Sequence, residues 1–209
     1  MSDIASFTGK LKEVTQQLTG ADAPFEIIER QSNGIPLRCY RNAPPTLRDA
    51  LAQGRNFEDK VFITYADESV TFEQFFEQVD RFANYLVNKQ QVARGDRVAI
   101  AMRNYPEWMV AYVAIVSIGA IVVPLNSWGR GDELEFTLAD AGAHVVVCDQ
   151  QRLDSIADRL ERLSLTAIVA RPEQEPEDDR VVSWLSTQEA SPAMPDADIG
   201  PGDLAMIMY

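Results

Sequence analysis

The sequence predicts an α/β fold in which a doubly wound, mostly parallel sheet carries helices on both faces. Two observations lead to this prediction. From Arg97 onward, short apolar segments of strand type alternate with segments of helical period. The chain is also long enough, at 209 residues with 46% hydrophobic content, to build a core. Strands that alternate with helices of this length form right-handed crossovers and a parallel sheet.

Four apolar strands define the crossover region, and they are predicted at 98–102, 121–125, 145–148 and 166–170. Pro106 suits the first turn of the helix that follows the first strand, and Gly119 ends that helix. Asp132 and Glu135 give the next helix an acidic start, and Gly142 closes it. A further short element at 181–185 lies between two exposed loops that are rich in proline.

The residues before this region predict smaller elements. Residues 1–20 form an amphipathic helix, because apolar side chains recur at alternating steps of three and four: Ile4, Phe7, Leu11, Val14 and Leu18. Residues 21–70 form a layer of β-hairpins, one turning at Asn33-Gly34 and one across Asp67-Glu68. The apolar stripe could pack on its own domain or on a second subunit, so a homodimer stays open.

A third predicted unit, residues 71–209, is a partial α/β subdomain that begins with a capped helix. Thr71 and Gln74 have the spacing of a capping box. The helix that follows presents an apolar, largely aromatic face that is typical of a core: Phe72, Phe75, Phe76, Val79, Phe82, Ala83 and Leu86.

Charge and composition exclude several classes of partner. The chain has 19 basic and 32 acidic residues, and its net charge of −13 argues against nucleic acid or an anionic membrane surface as a partner. An uncharged stretch runs from Trp108 to Trp128, but Gly119 and Pro124 interrupt it. This pattern favours a buried helix and a buried strand over a transmembrane span.

The two cysteines lie far apart, and the first residues lack a basic region followed by an apolar stretch. We therefore expect a cytoplasmic protein with buried thiols.

The known motifs for nucleotide binding, nucleophilic catalysis and metal binding predict no catalytic residue and no metal site in this sequence. The turn after the first strand lacks the glycines of a dinucleotide fold. Gly129-Arg130-Gly131 could hold a phosphate, but a plain turn is the favoured interpretation. The single histidine, His144, has neither a nucleophile motif nor a second metal ligand near it, so a structural role is favoured.

Four segments together resemble the amino-terminal part of adenylate-forming enzymes, especially acyl-CoA synthetases. They are Val70–Phe75, Gly95–Ile100, Asn104–Trp108 and Gly119–Asn126, and their order and spacing make the combination specific. The resemblance runs from about Leu47 to Tyr209. Asn126-Ser127-Trp128 followed by Glu133-Leu134 is most similar to the fatty or aryl acid branch.

The resemblance implies an enzyme that uses ATP and Mg²⁺ to convert a carboxylic acid to an acyl-adenylate and passes the acyl group to coenzyme A. In that family a run like Pro201–Tyr209 leads into a Ser/Thr/Gly-rich phosphate loop. We therefore expect that the chain stops inside a strand, Leu204–Tyr209, and is a truncated fragment of the large adenylation domain. Such a fragment would have no adenylation activity and would bind no cofactor tightly.

Asn126, Trp128 and Arg130 follow the second strand, on the edge of the sheet where ligands gather in doubly wound folds. We predict that they contact the coenzyme A side of the substrate. The alternative is a packed turn with an anchoring tryptophan. For the whole chain, the alternative to an enzyme fragment is a free-standing doubly wound module for binding or oligomerisation, whose last strand would be a natural edge.

Overall fold

The structure, a computed structural model, describes residues 2–32 and 34–209 in two compact units, 1–46 and 47–209. Asn33 and the side chain of Ile4 lie outside the described residues, so the predictions made for them have no counterpart here. None of the described helices combines the length and the apolar content that crossing a bilayer requires.

The first unit consists of one helix and one hairpin. Helix α1 spans Ser2–Thr19, as predicted, and the remaining members of its apolar stripe are exposed: Phe7, Leu11, Val14 and Leu18. Strands β1 (Ile27–Ser32) and β2 (Ile35–Tyr40) pair antiparallel, with Ser32 opposite Ile35. Arg41 donates two hydrogen bonds to the Glu26 carboxylate, which lower the pKa of Glu26.

The second unit contains the remaining elements. In chain order they are α2 (Leu47–Ala52) with a 3₁₀ turn (Gln53–Phe57), β3 (Val61–Tyr65), β4 (Glu68–Thr71), α3 (Phe72–Asn88), β5 (Arg97–Ala101), α4 (Pro106–Ser117), β6 (Ile121–Pro124), α5 (Gly131–Ala141), β7 (Val145–Asp149), α6 (Gln150–Ile156) with a 3₁₀ turn (Ala157–Arg159), β8 (Thr166–Ala170), β9 (Val181–Ser183) and α7 (Trp184–Thr187).

Five strands form the main sheet in the order β6-β5-β7-β8-β9, and every pair in it is parallel. Val98 on β5 lies between Val122 on β6 and Val145 on β7. This arrangement confirms the predicted doubly wound architecture.

Both faces of the sheet are buried, because successive side chains of each strand enter different apolar clusters. On β5, Val98 and Ile100 pack with α3 and α4, whereas Ala99 and Ala101 pack with α5 and α6. The cluster that includes α5 and α6 also contains Cys148, where burial raises the pKa of the thiol well above its ordinary value.

Helix α3 begins with the predicted capping box. The Thr71 hydroxyl accepts a hydrogen bond from the Gln74 N–H at 3.2 Å, and the Gln74 side-chain oxygen accepts one from the Thr71 N–H at 3.0 Å. The predicted apolar face is buried, except that Phe72 is half-buried and stacks on Phe62 with the ring centroids 4.3 Å apart.

The hairpins differ from the prediction in two respects. The turn of the second hairpin lies at Ala66-Asp67, because Tyr65 pairs with Glu68 and Ala66 takes the positive φ of 50°. The prediction that it spans Asp67-Glu68 was wrong by one residue. The hairpins also form two separate sheets, one in each unit, although both lie in the range 21–70 that was assigned to one layer.

The predicted strand at Leu204–Tyr209 is reduced to a single parallel bridge between Met206 and Val122. The Val122 N–H donates to the Ala205 carbonyl, and the Ile207 N–H donates to the Val122 carbonyl. Only Ala205 and Ile207 pack against the two clusters, while the other side chains are largely exposed. With one neighbour and little burial, this segment lacks the contacts that extend a strand ladder.

Candidate functional site

The strand order creates a crevice at the carboxyl edge of the sheet. The chain passes from β5 outward to β6 and then returns to β7 on the other side of β5. The helices that follow β5 and β7, α4 and α6, pack in different clusters on opposite faces. The chain therefore leaves β5 and β7 towards opposite faces of the sheet, and in doubly wound sheets ligands bind at such a switch point.

Arg103, the second residue after β5, contacts the end of β7, the start of α6 and the loop after β6 in this crevice. Its N–H donates to Asp149 Oδ2 at 3.1 Å, and its Nη2 donates to Gln151 Oε1 at 3.0 Å. Its guanidinium carbon lies 5.6 Å from the ring centroid of Trp128, in the loop after β6. The result is a cation above an indole ring, at the edge where phosphate-bearing ligands bind in related folds.

Asp149, the last residue of β7, fixes the position of Arg103 by accepting its N–H. Its carboxylate is buried and accepts hydrogen bonds from the N–H and the guanidinium of Arg152, at 3.0 and 3.2 Å. Arg103, Asp149 and Arg152 were not predicted as site residues from the sequence. A usable signal was present, because an aspartate between an apolar strand and a helical segment is a typical helix N-cap.

The structure places Asn126, Trp128 and Arg130 in one tight turn between β6 and α5. Asn126 Oδ1 accepts the Trp128 N–H at 3.0 Å, and Glu133 accepts the Arg130 N–H at 2.9 Å. The indole of Trp128 is 79% exposed, so the alternative of an anchoring tryptophan was wrong. The Arg130 guanidinium is exposed and forms no ion pair within the described part of the chain.

Gly129-Arg130-Gly131 is a plain turn, as the sequence analysis favoured. A Cβ atom on Gly131 would collide with Arg159 Nη1 and the Ser155 carbonyl oxygen, so this glycine permits close packing of α5 against α6. The first turn of α5 carries Asp132 and Glu133, whose charges repel a phosphate. This helix start does not fit the phosphates of ATP.

Residues 2–32 and 34–209 contain no group of three or more His, Cys, Asp or Glu side chains that could hold a metal ion. His144 precedes β7, at the opposite edge of the sheet from the crevice.

Arg171, directly after β8, ties the β3–β4 hairpin to the carboxyl edge. Its guanidinium donates two hydrogen bonds to Glu68, at 3.0 and 2.8 Å, and one to Glu107 at 2.8 Å. It also lies over the rings of Tyr65 and Tyr105. Burial lowers the pKa of Arg171, but the bonds to the two carboxylates outweigh burial and raise it. These contacts hold a residue whose φ is +54°.

The close contact at Gly131 predicts that an added methyl group destabilises the protein at this position, but not at a glycine that has no neighbouring atoms. Gly131→Ala forces apart α5 and α6 and lowers the free energy of unfolding by about 1–3 kcal/mol. Gly9→Ala is the control, because Gly9 lies inside α1 with nothing within 4 Å of a Cβ atom. We expect it to leave the stability unchanged or to raise it. Denaturant unfolding measures both, and equal effects of the two variants would contradict the packing argument.

Loss of the Arg171 guanidinium leaves Glu107, whose side chain is 12% exposed, without its cation. We expect Arg171→Met to lower the free energy of unfolding by about 2 kcal/mol or more. Arg162→Met is the control, because it removes an exposed partner of Glu135. It should lower the free energy of unfolding by less than about 1 kcal/mol. The double variant Arg171→Met with Glu107→Met should be more stable than Arg171→Met alone. A double variant that is less stable would contradict the assignment of the loss to an unpaired carboxylate.

The chain is similar in sequence to one protein family and to several named CoA ligases. The family model described as AMP-binding enzyme matches residues 51–209. A medium/long-chain-fatty-acid-CoA/3-oxocholest-4-en-26-oate-CoA ligase of Mycobacterium marinum is 30% identical over 102 residues, which are 49% of this chain and 18% of that protein. The ligase of the same name from Mycolicibacterium smegmatis is 29% identical over 147 residues, or 68% of this chain and 26% of that protein. The chain thus matches about a fifth to a quarter of the length of these relatives.

Solved structures share the fold. Coronafacic acid ligase from Pectobacterium brasiliense superposes with a TM-score of 0.73 at 18% identity, over 78% of this chain and 33% of that one. MatB from Rhodopseudomonas palustris superposes with a TM-score of 0.65 at 29% identity, over 78% of this chain and 32% of that one. Since the family model covers most of the sequence, the chain belongs to the AMP-binding enzyme family.

Proposed function

We propose that this chain supplies the amino-terminal part of the adenylation domain of an AMP-forming acyl-CoA ligase that acts on a fatty or aryl acid in the cytoplasm. The observation that carries the proposal is the family match over residues 51–209, together with relatives that are named CoA ligases. The complete enzyme would join the acid to AMP, release pyrophosphate and then transfer the acyl group to the thiol of coenzyme A, releasing AMP.

In this proposal the described residues are mainly a scaffold, and the nucleotide triphosphate and Mg²⁺ are held by residues outside this chain. The acidic, tightly packed start of α5 supports it, because this helix start repels phosphate and leaves no room for it. By themselves these 209 residues would then neither bind ATP tightly nor form an adenylate.

The crevice at the carboxyl edge would serve the second half-reaction. The exposed indole of Trp128 offers a stacking surface for the adenine of coenzyme A, while Arg103 and Arg130 offer N–H donors for its phosphates. Asn126 would hold the turn that presents Trp128, because its side chain accepts the Trp128 N–H. The buried Asp149 would fix the backbone of Arg103.

Exchange of labelled pyrophosphate into ATP tests the proposed function. We expect acid-dependent exchange from the protein encoded by the full reading frame, with at least one of octanoate, palmitate, benzoate or anthranilate. The 209-residue chain should give none, because in this proposal the residues that cradle the phosphates lie outside it. Reactions without acid are the control.

Exchange catalysed by the 209 residues alone would place the adenylation chemistry inside this chain. The absence of exchange with every acid from the full-length protein would contradict the ligase assignment.

A further inference from the structure

A cavity of about 630 Å³ lies in the unit 47–209, and none of its lining residues belongs to the crevice. It forms a groove between β4, α3 and α7, with the start of α4 at one end. We call it the α3–α7 groove, and its lining residues that carry the argument are Glu68, Glu77, Arg81, Glu107, Leu185 and Gln188. The proposed ligase function assigns no role to this groove, and the inference below is independent of that function.

Two acceptor oxygens of the groove residues are buried without a hydrogen-bond partner in the described structure: Glu107 Oε2 and Gln188 Oε1. The other oxygen of Glu107 accepts from Arg171. The nitrogen and the oxygen of the Gln188 amide are distinguished by their contacts, because the nitrogen donates to Thr187 Oγ1 at 3.1 Å and that hydroxyl already donates to the Trp184 carbonyl. Buried acceptors without partners are costly, so both oxygens favour a ligand that brings N–H or O–H donors.

The charges of the groove favour a cation. Three carboxylates, Glu68, Glu77 and Glu107, face two guanidinium groups. Arg81 pairs with Glu77 at 2.7 Å, and Arg171 is shared between Glu68 and Glu107. One negative charge therefore has no cation among these five groups. A ligand with a single positive charge would neutralise this remaining negative charge, whereas an anion would be repelled by the Glu107 carboxylate.

The groove also offers apolar surface next to these polar groups. Leu185 is 69% exposed, and the half-buried Val70 lies in β4. A straight alkyl chain can cover such a surface while its charged end remains hydrogen-bonded. The acceptors, the charge and the apolar wall together specify one class of ligand.

We propose that the α3–α7 groove binds a primary ammonium group carried on an alkyl chain, from a free amine or from a lysine side chain. The ammonium donates hydrogen bonds to Glu107 Oε2 and Gln188 Oε1, and the alkyl chain lies on Leu185. Both oxygens are covered in the free protein, so binding requires a side-chain rotation that uncovers them.

Titration of the 209-residue chain, followed by NMR, tests this proposal. The ligands are n-butylammonium, Nα-acetyl-lysine amide and tetramethylammonium, and the signals are the side-chain amide of Gln188 and the indole N–H of Trp184. We expect saturable shifts with the first two ligands. Tighter binding of the lysine derivative identifies a protein side chain as the source, and tighter binding of butylammonium identifies a free amine. Tetramethylammonium has the same charge but no N–H donor, and equal binding of this ion would overturn the proposal.

Gln188→Met is the matched variant, because it removes one acceptor and changes no charge. We expect about tenfold weaker binding of n-butylammonium. The melting temperature should change little, because the variant loses the hydrogen bond from the Gln188 nitrogen to Thr187 Oγ1 together with a buried oxygen that has no partner. Gln17→Met, at an exposed position of α1, is the control and should leave both quantities unchanged. Unchanged affinity in Gln188→Met, or the absence of saturable shifts in the groove, would overturn the proposal.

Discussion

The whole architecture depends on burial of a parallel sheet on both of its faces. Each central strand must be apolar on both sides, and β5 meets this demand with Val98 and Ile100 towards one cluster and Ala99 and Ala101 towards the other. Small side chains on one face let α5 and α6 approach closely, whereas larger ones face α3 and α4. Because all five strands are parallel, their carboxyl ends share one edge, and every loop that leaves this edge can contribute to a single site.

Local signals in the sequence were sufficient for most of the elements. Pro106 and Gly119 delimit α4 as predicted, with Gly119 at a φ of +76°, and Thr71 caps α3. The sheet order could not be derived in this way, because it depends on which strands pair across long separations. The short turn at Ala66-Asp67 was misplaced by one residue, since alanine is not a residue that marks a positive φ in the sequence, and Ala66 takes a φ of +50°.

The candidate site was predicted only in part, because it also depends on contacts between segments that are far apart in the sequence. The loop that contains Trp128 could be placed at the carboxyl edge, because it follows a strand. The contact between Arg103 and Trp128 joins two loops whose proximity arises only from the parallel pairing of β5 with β6. Arg171 is a further example, because its partners Glu68 and Glu107 come from segments that only the complete fold brings together. Long-range polar contacts of this kind carry no periodic signal.

Our central proposal is that the carboxyl edge of this sheet, at the turn after β6, serves the transfer of the acyl group to coenzyme A. The most direct test compares Trp128→Ala with Phe136→Ala, an exposed aromatic residue on α5, in the protein encoded by the full reading frame. The account predicts that Trp128→Ala raises KM for coenzyme A about tenfold, as expected from the loss of one stacking contact. Pyrophosphate exchange into ATP and the Phe136→Ala variant should be unaffected. An unchanged KM for coenzyme A in Trp128→Ala, or an equal loss of exchange, would contradict the account.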